Sequence, residues 1–193
     1  MKKFLIAALM VASFATAQAQ QPVGTVSIQP KVGFNLASLT KFDDTSMRAA
    51  VVTGAEGMYQ VSDIFGLSAG LLYSQQGVEF DGDAAYKLDY LNIPLMANVY
   101  VAKGFALKAG LQPGFMINDN VKDYSITIGD YTIGTKNDGL KKFDLSIPVG
   151  LSYEFANFVF DARYNFGVTD VFDWSDAPKN SVFQFTFGYK FVL

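Results

Sequence analysis

The chain has 193 residues, enough for one domain with a sizeable core, and it contains neither cysteine nor histidine. Disulfides, thiol nucleophiles, lipid-modified cysteine and every His-based catalytic arrangement are thereby excluded. A formal net charge of −3 with only two arginines argues against nucleic acid, because phosphate binding needs clustered Lys and Arg.

The first element in chain order is MKKFLIAALMVASFATAQA, residues 1–19. It has Lys2 and Lys3, an apolar run from Phe4 to about Phe14, and the small-residue stretch Ala17-Gln18-Ala19. These are the parts of a secretory signal peptide, which predicts export and a mature chain beginning at Gln20. The apolar run is well short of the roughly 20 residues a membrane-spanning helix needs. The remaining 20–193 forms one domain, with thirteen basic against eighteen acidic residues and a net charge of −5. It holds no apolar run of eighteen residues, yet half the whole chain is hydrophobic and 15% is aromatic. So aromatic an exported chain needs another way to use its rings.

Period-two alternation predicts eight strands, near 26–38, 48–61, 64–76, 86–101, 104–117, 140–155, 158–168 and 180–192. Each can supply the 9–11 residues or so that a tilted strand needs to cross a bilayer. Long connectors near 39–47, 77–85, 118–139 and 169–179 alternate with tight turns at 61–64, 101–104 and 155–158. That rhythm predicts an all-β, eight-stranded antiparallel up-and-down transmembrane β-barrel, with both termini on the short-turn side.

The faces of the strands choose the solvent. Along 143–155, Phe143, Leu145, Ile147, Val149, Leu151, Tyr153 and Phe155 oppose Asp144, Ser146, Pro148, Gly150, Ser152 and Glu154. The closing segment repeats this, with Phe183, Phe185, Phe187, Tyr189 and Phe191 against Gln184, Thr186, Gly188 and Lys190. In a water-soluble ligand-binding barrel, the alternative fold, the rings would pack inside. Eight strands leave an interior only just wide enough for side chains, and the polar face carries Gly and Ser where a solvent face would carry Lys and Glu. Turning the rings toward lipid removes both difficulties.

On this reading Tyr59, Phe65, Phe105, Tyr153, Phe155, Phe158, Tyr189 and Phe191 form an aromatic girdle at the short-turn end. Tyr73, Phe115, Phe143, Phe166 and Phe183 lie near the long-loop end. Eight charges face the lumen, four of each sign: Lys31, Glu56, Lys108, Asp144, Glu154, Asp161, Arg163 and Lys190. Equal numbers in a narrow barrel predict a cross-linked plug, with a small-solute pore as the alternative.

No enzyme is expected. The nearest carboxylate group, Asp170, Asp173 and Asp176 beside Trp174, reads as a solvated turn-forming loop. Eleven of the fifteen aspartates fall in the long loops, at 43, 44, 81, 83, 119, 123, 130, 138, 170, 173 and 176. None has the spacing of a calcium loop, and no phosphate-binding Gly loop or zinc spacing appears, so no metal or cofactor is expected. Divalent bridging to lipopolysaccharide is the mildest role for them. Within 118–139, YSITIGDYTIGT predicts a projecting hairpin whose edge could pair with a partner protein.

Five segments carry a family likeness: YLNIPLMANVY (90–100), LKAGLQPGF (107–115), FDLSIPVGLSYEF (143–155), DARYNFGVTDV (161–171) and FTFGYKF (185–191). In that order and spacing the chain resembles the small PorT-like outer-membrane β-barrels of Gram-negative bacteria. The resemblance implies an OmpA- or OmpX-like eight-stranded barrel in the outer membrane, surrounded by lipid and lipopolysaccharide. It implies little about activity; the name-giving member is linked to secretion and gliding machinery. It also implies a C-terminal signal read by the barrel-assembly machinery, here Phe187, Tyr189, Phe191 and Leu193. Such barrels commonly end in an aromatic residue, and this chain ends in Leu193. The role so implied is structural or surface-interactive.

Overall fold

The computed structural model describes residues 21–40, 45–80, 85–121, 126–128, 131–133, 140–171, 173 and 177–193. The N-terminal segment 1–19 lies outside the described residues, as do most of the loop aspartates and Trp174. The elements are β1 (Val26–Leu39), β2 (Thr45–Ser62), β3 (Phe65–Phe80), β4 (Ala85–Asn92), β5 (Leu95–Ala102) and β6 (Phe105–Val121). They continue as β7 (Ile126–Ile128), β8 (Tyr131–Ile133), β9 (Phe143–Phe155), β10 (Phe158–Asp170), β11 (Lys179–Tyr189) and β12 (Phe191–Val192).

Every pairing is antiparallel, the sheet runs in the order β1, β2, β3, β4 with β5, β6, β9, β10, β11, and β1 closes it against β11 and β12. The result is the predicted eight-stranded closed barrel, because two pairs of elements are single barrel strands interrupted by proline. β4 and β5 flank Ile93-Pro94, and across that break their pairings with β3 and with β6 keep the same register. Proline lacks the N–H that a ladder needs, and Ile93 also faces Pro113, whose carbonyl accepts the Ile93 N–H at 2.8 Å. β11 and β12 break at Lys190 for the same reason. Their common register on β1 places Pro30 opposite Tyr189, the residue just before the break.

Most strands outlast their predicted ends on the long-loop side, but β9 begins at Phe143, short of its predicted start near 140. β2 begins at Thr45, β3 runs to Phe80 and β6 to Val121, with pairs such as Thr45↔Phe80 and Tyr86↔Val121. Backbone pairing continues there although the apolar alternation that marks a half-buried strand has faded. β7 and β8 pair Ile126↔Ile133 and Ile128↔Tyr131, the hairpin expected within 118–139.

The alternation is realised with its apolar face outward. Phe34, Leu71, Leu111, Phe160 and Phe185 are all exposed, whereas Gln184, Asn35 and Ser74 are fully buried. A water-soluble barrel would show the reverse, so that alternative is corrected by the exposed rings themselves. No helix among the described residues is long and apolar enough to cross a membrane, which says nothing of strands.

Candidate functional site

All eight charges assigned to the lumen are buried. Five converge at its centre from four strands: Lys31 on β1, Glu56 on β2, Lys108 on β6, and Asp161 and Arg163 on β10. Asp161 grips Arg163 side-on, accepting Nε at 2.7 Å and Nη2 at 2.8 Å. Glu56 accepts a second Nη2 hydrogen at 2.9 Å, bridging β10 to β2 across the barrel. Lys108 Nζ donates to Asp161 at 2.5 Å and lies 3.6 Å from Glu56; Lys31 Nζ is 2.9 Å from Glu56 and 3.9 Å from Asp161. Shared charge-assisted hydrogen bonds of this kind offset the desolvation that burial imposes.

Register explains how such long side chains fit. Lys31 pairs with Gly54 and Gly188, Glu56 with Gly70, and both Lys108 and Arg163 with Gly150. A Cβ on Gly70 would stand 2.5 Å from Glu56 Cγ, and one on Gly150 would stand 2.7 Å from Arg163 Cβ. Each of these large ionic residues therefore lies over a position that has no side chain.

The other three charges lie to either side. Toward the short turns, Lys190 Nζ meets Glu154 at 2.5 Å, and Tyr100 donates its hydroxyl to the same carboxylate at 2.8 Å. Tyr100 packs with Met58 and Ala106 into a small apolar plug. Toward the long loops, Asp144 makes no ion pair among the described residues; it accepts from Asn180 Nδ2 at 3.0 Å and Thr169 Oγ1 at 3.3 Å. Beyond it Leu39, Leu88, Tyr90, Val171 and Ala177 form a second apolar cluster, with Met116 and Leu140 against it.

Sequence reasoning missed that second plug. Leu39, Val171 and Ala177 fall in stretches read as loops, where no periodicity marks a face. Two further buried charges were also missed. Arg48 donates to the Gln76 carbonyl, and Asp89 accepts from Tyr73 at 2.9 Å and Asn118 at 3.0 Å.

The girdle residues project outward at the short-turn end. Phe158 meets Tyr189 edge-on at 5.2 Å, Tyr189 meets Phe191 at 4.8 Å, and the Tyr189 hydroxyl accepts from Asn157 at 3.1 Å. Phe105 and Phe160 both pair with Tyr153, Phe155 with Phe158, Tyr59 with Leu67 and Phe65 with Val99, continuing the ring of outward side chains. Of the four residues expected to form an assembly signal, Phe187 packs on Phe160 at 4.9 Å, and Leu193 N–H donates to the Val26 carbonyl at 3.0 Å. Phe187, Phe191 and Leu193 are exposed and Tyr189 is half-buried. At the opposite rim Phe115 meets Phe143 edge-on at 5.6 Å, and Tyr164 contacts Phe166 and Phe183. Of the candidate loop carboxylates, Asp170 pairs with Lys179 in the ladder and Asp173 lies 3.9 Å from Lys141 at the surface, while Asp176 lies outside the described residues. Among the described residues no three carboxylates stand together as a metal site.

A sequence model described as "Outer membrane protein beta-barrel domain" matches residues 16–173. No curated protein matches the sequence. The fold is similar to that of Ail, the attachment invasion locus protein of Yersinia pestis, at 16% identity and a TM-score of 0.52, covering 88% of this chain and 99% of that one. It is equally similar to neisserial surface protein A, at 12% identity and a TM-score of 0.52, covering 86% and 97%. At these identities the likeness is one of fold.

Proposed function

Because the chain belongs to the outer membrane protein β-barrel domain family, we propose that it serves as a closed, membrane-embedded scaffold of the cell envelope. The observation that carries this reading is the obstruction of the lumen at three levels. The ion cluster crosses the centre, and an apolar plug lies on either side of it. Such a barrel holds its loops at the membrane surface and passes no solute.

Several finer readings belong with this one. Export through cleavage after Ala19 predicts a mature protein whose intact mass begins at Gln20. The five quoted segments favour the PorT-like barrels within the family. The loop spanning 118–139, which contains the β7–β8 hairpin, is the proposed surface for an envelope partner. Outer-membrane lipid, lipopolysaccharide and the barrel-assembly machinery are the other partners this reading calls for.

Reconstitution in planar bilayers tests the central claim. The purified barrel should show no single-channel steps. Steps that disappear when Glu56 or Arg163 is replaced would overturn the scaffold reading in favour of a small-solute pore. Crosslinking from the 118–139 loop in intact cells tests the surface role. One envelope protein should be captured reproducibly, and lost when residues 126–133 are replaced by Gly and Ser.

A further inference from the structure

The wall is not tied equally all round. In one row across it lie Gly70 on β3, Pro94 between β4 and β5, and Pro113 on β6. Gly70 N–H donates to the Pro94 carbonyl at 3.0 Å, and Ile93 N–H donates to the Pro113 carbonyl at 2.8 Å. Such an antiparallel pair normally exchanges two hydrogen bonds, and neither proline has an N–H to return. The Gly70 and Ile93 carbonyls thus lose their ladder partners at adjacent strand junctions, a cost that membrane walls ordinarily avoid.

On the long-loop side of this row, β3, β4 and β6 form one section. Within it the β3–β4 ladder runs unbroken from Leu72↔Asn92 to Glu79↔Ala85, and β4 stays paired with β6 up to Tyr86↔Val121. Its two flanks are held less well. The β2–β3 ladder shifts register between Val52↔Ser74 and Met47↔Val78, where residues 48–51 face 75–77. Side chains latch that gap. Asn35 Nδ2 donates to Ser74 Oγ at 2.9 Å and to the Gln75 carbonyl at 2.8 Å, and Arg48 donates to the Gln76 carbonyl. On the other flank the β6–β9 ladder ends at Phe115↔Phe143, followed by one bond from Met116 N–H to the Lys142 carbonyl at 2.7 Å. The inward residues of the section are half of the long-loop plug. Leu88 and Tyr90 on β4, with Met116 on β6, meet Leu39 at the end of β1 and Val171 and Ala177 between β10 and β11. The Asn180–Tyr90 hydrogen bond between the halves is long, at 3.5 Å, so apolar contact is the main tie.

We propose that the β3–β4–β6 section beyond Gly70, Pro94 and Pro113 is a flap that swings outward, lifting Leu88 and Tyr90 off Leu39, Val171 and Ala177. Its own ladders are continuous while its margins are interrupted, so it moves as one unit. Opening uncovers the upper lumen, with Asn92, Gln112, Asp144 and Asn180, to the long-loop side. None of the five residues of the central ion cluster lies in the flap. The cluster therefore stays shut, and opening turns a sealed mouth into a cup without making a channel. The flap goes beyond the closed-scaffold reading and leaves it intact.

The chain has no cysteine, so a single introduced thiol reports cleanly. Leu39 is 3% exposed, on the fixed side of the plug. In barrels folded into phospholipid vesicles, Leu39→Cys should react with an external, membrane-impermeant maleimide faster than the barrel unfolds globally. Pro113→Val returns an N–H to the Ile93 carbonyl and should slow this labelling about five- to tenfold, the factor one net hydrogen bond supplies. Arg48→Met removes a latch and should speed it by a similar factor. Val159→Cys, buried on the short-turn side of Arg163, should stay unlabelled. Labelling of Leu39→Cys no faster than global unfolding overturns the flap, as does a rate unmoved by Pro113→Val. Labelling of Val159→Cys as well overturns it too, since the whole lumen would then open. Should Pro113→Val fail to fold, Arg48→Met decides in its place, and an unchanged rate there rejects the flap.

Discussion

Glu56 accepts or neutralises three cations at once, so it cannot be treated as one half of a simple bridge. Glu56→Gln keeps the size and removes the charge, leaving Arg163 and two lysines with Asp161 alone. Removing one partner from a buried ionic set costs about 3–5 kcal/mol, far more than a surface pair. Urea unfolding of the detergent-solubilised barrel should show a loss of that size. The double change Glu56→Met with Lys31→Met should cost clearly less than the sum of the single changes, because it removes opposite charges together. Additive losses would mean that the two residues act independently. The glycines beneath these side chains make a second prediction. At Gly150 a Cβ would lie 2.3 Å from the Ala162 carbonyl as well as 2.7 Å from Arg163 Cβ. Gly150→Val should therefore destabilise by about 1–3 kcal/mol through overpacking, read in the same unfolding assay. A valine tolerated without loss would show that the cluster has room to spare.

At the scale of elements, the end of the chain is held asymmetrically. Through β11 the final strand has β10 on one side and β1 on the other. Past Lys190, whose N–H reaches the Asn157 carbonyl, only β1 remains as a neighbour, through Ser27↔Val192, Ile28↔Phe191 and the Leu193–Val26 hydrogen bond. The last three residues are thus a short edge paired on one side only, with Phe191 and Leu193 in parity with the outward face. Leu193→Phe should raise the folded fraction recovered in the outer membrane, and Leu193→Asp should lower it, as scored by the heat-dependent gel shift of folded barrels. Equal recovery of both variants would overturn the proposed role of Leu193 in assembly. The strands themselves were legible in the sequence because lipid on one face and a polar lumen on the other force period-two alternation over ten or more residues. The eight lumen charges were legible by the same parity. What escaped was whatever depends on register. That Lys31 lies between Gly54 and Gly188, or that Gly150 serves two cations, follows only once neighbouring strands are aligned. The plug of Leu39, Leu88, Tyr90, Val171 and Ala177 escaped for a different reason, since it gathers strand ends and connectors that share no pattern.

Taken whole, the molecule is a polar, cross-linked interior wrapped in an apolar sheet, the inverse of a soluble barrel. Its stability must then depend on where along the wall a charge is placed, and not only on whether the wall is breached. Leu151 is 42% exposed and pairs with Leu107 and Ala162 about midway along β9, whereas Phe155 stands at the short-turn rim beside Ala156-Asn157. An arginine on the lipid face costs roughly 2–4 kcal/mol at the bilayer midplane and about 0–1 kcal/mol near the interface, where it can reach headgroups and water. Leu151→Arg should accordingly lose far more stability than Phe155→Arg when folding into lipid vesicles is measured against urea. The contrast should shrink in short-chain detergent micelles, where water lies closer to every position. Equal losses in vesicles would mean that the exposed belt of Phe, Leu and Val does not face hydrocarbon. A large loss confined to Leu151 would place the centre of β9 at the middle of the bilayer, with the aromatic girdle at its edge.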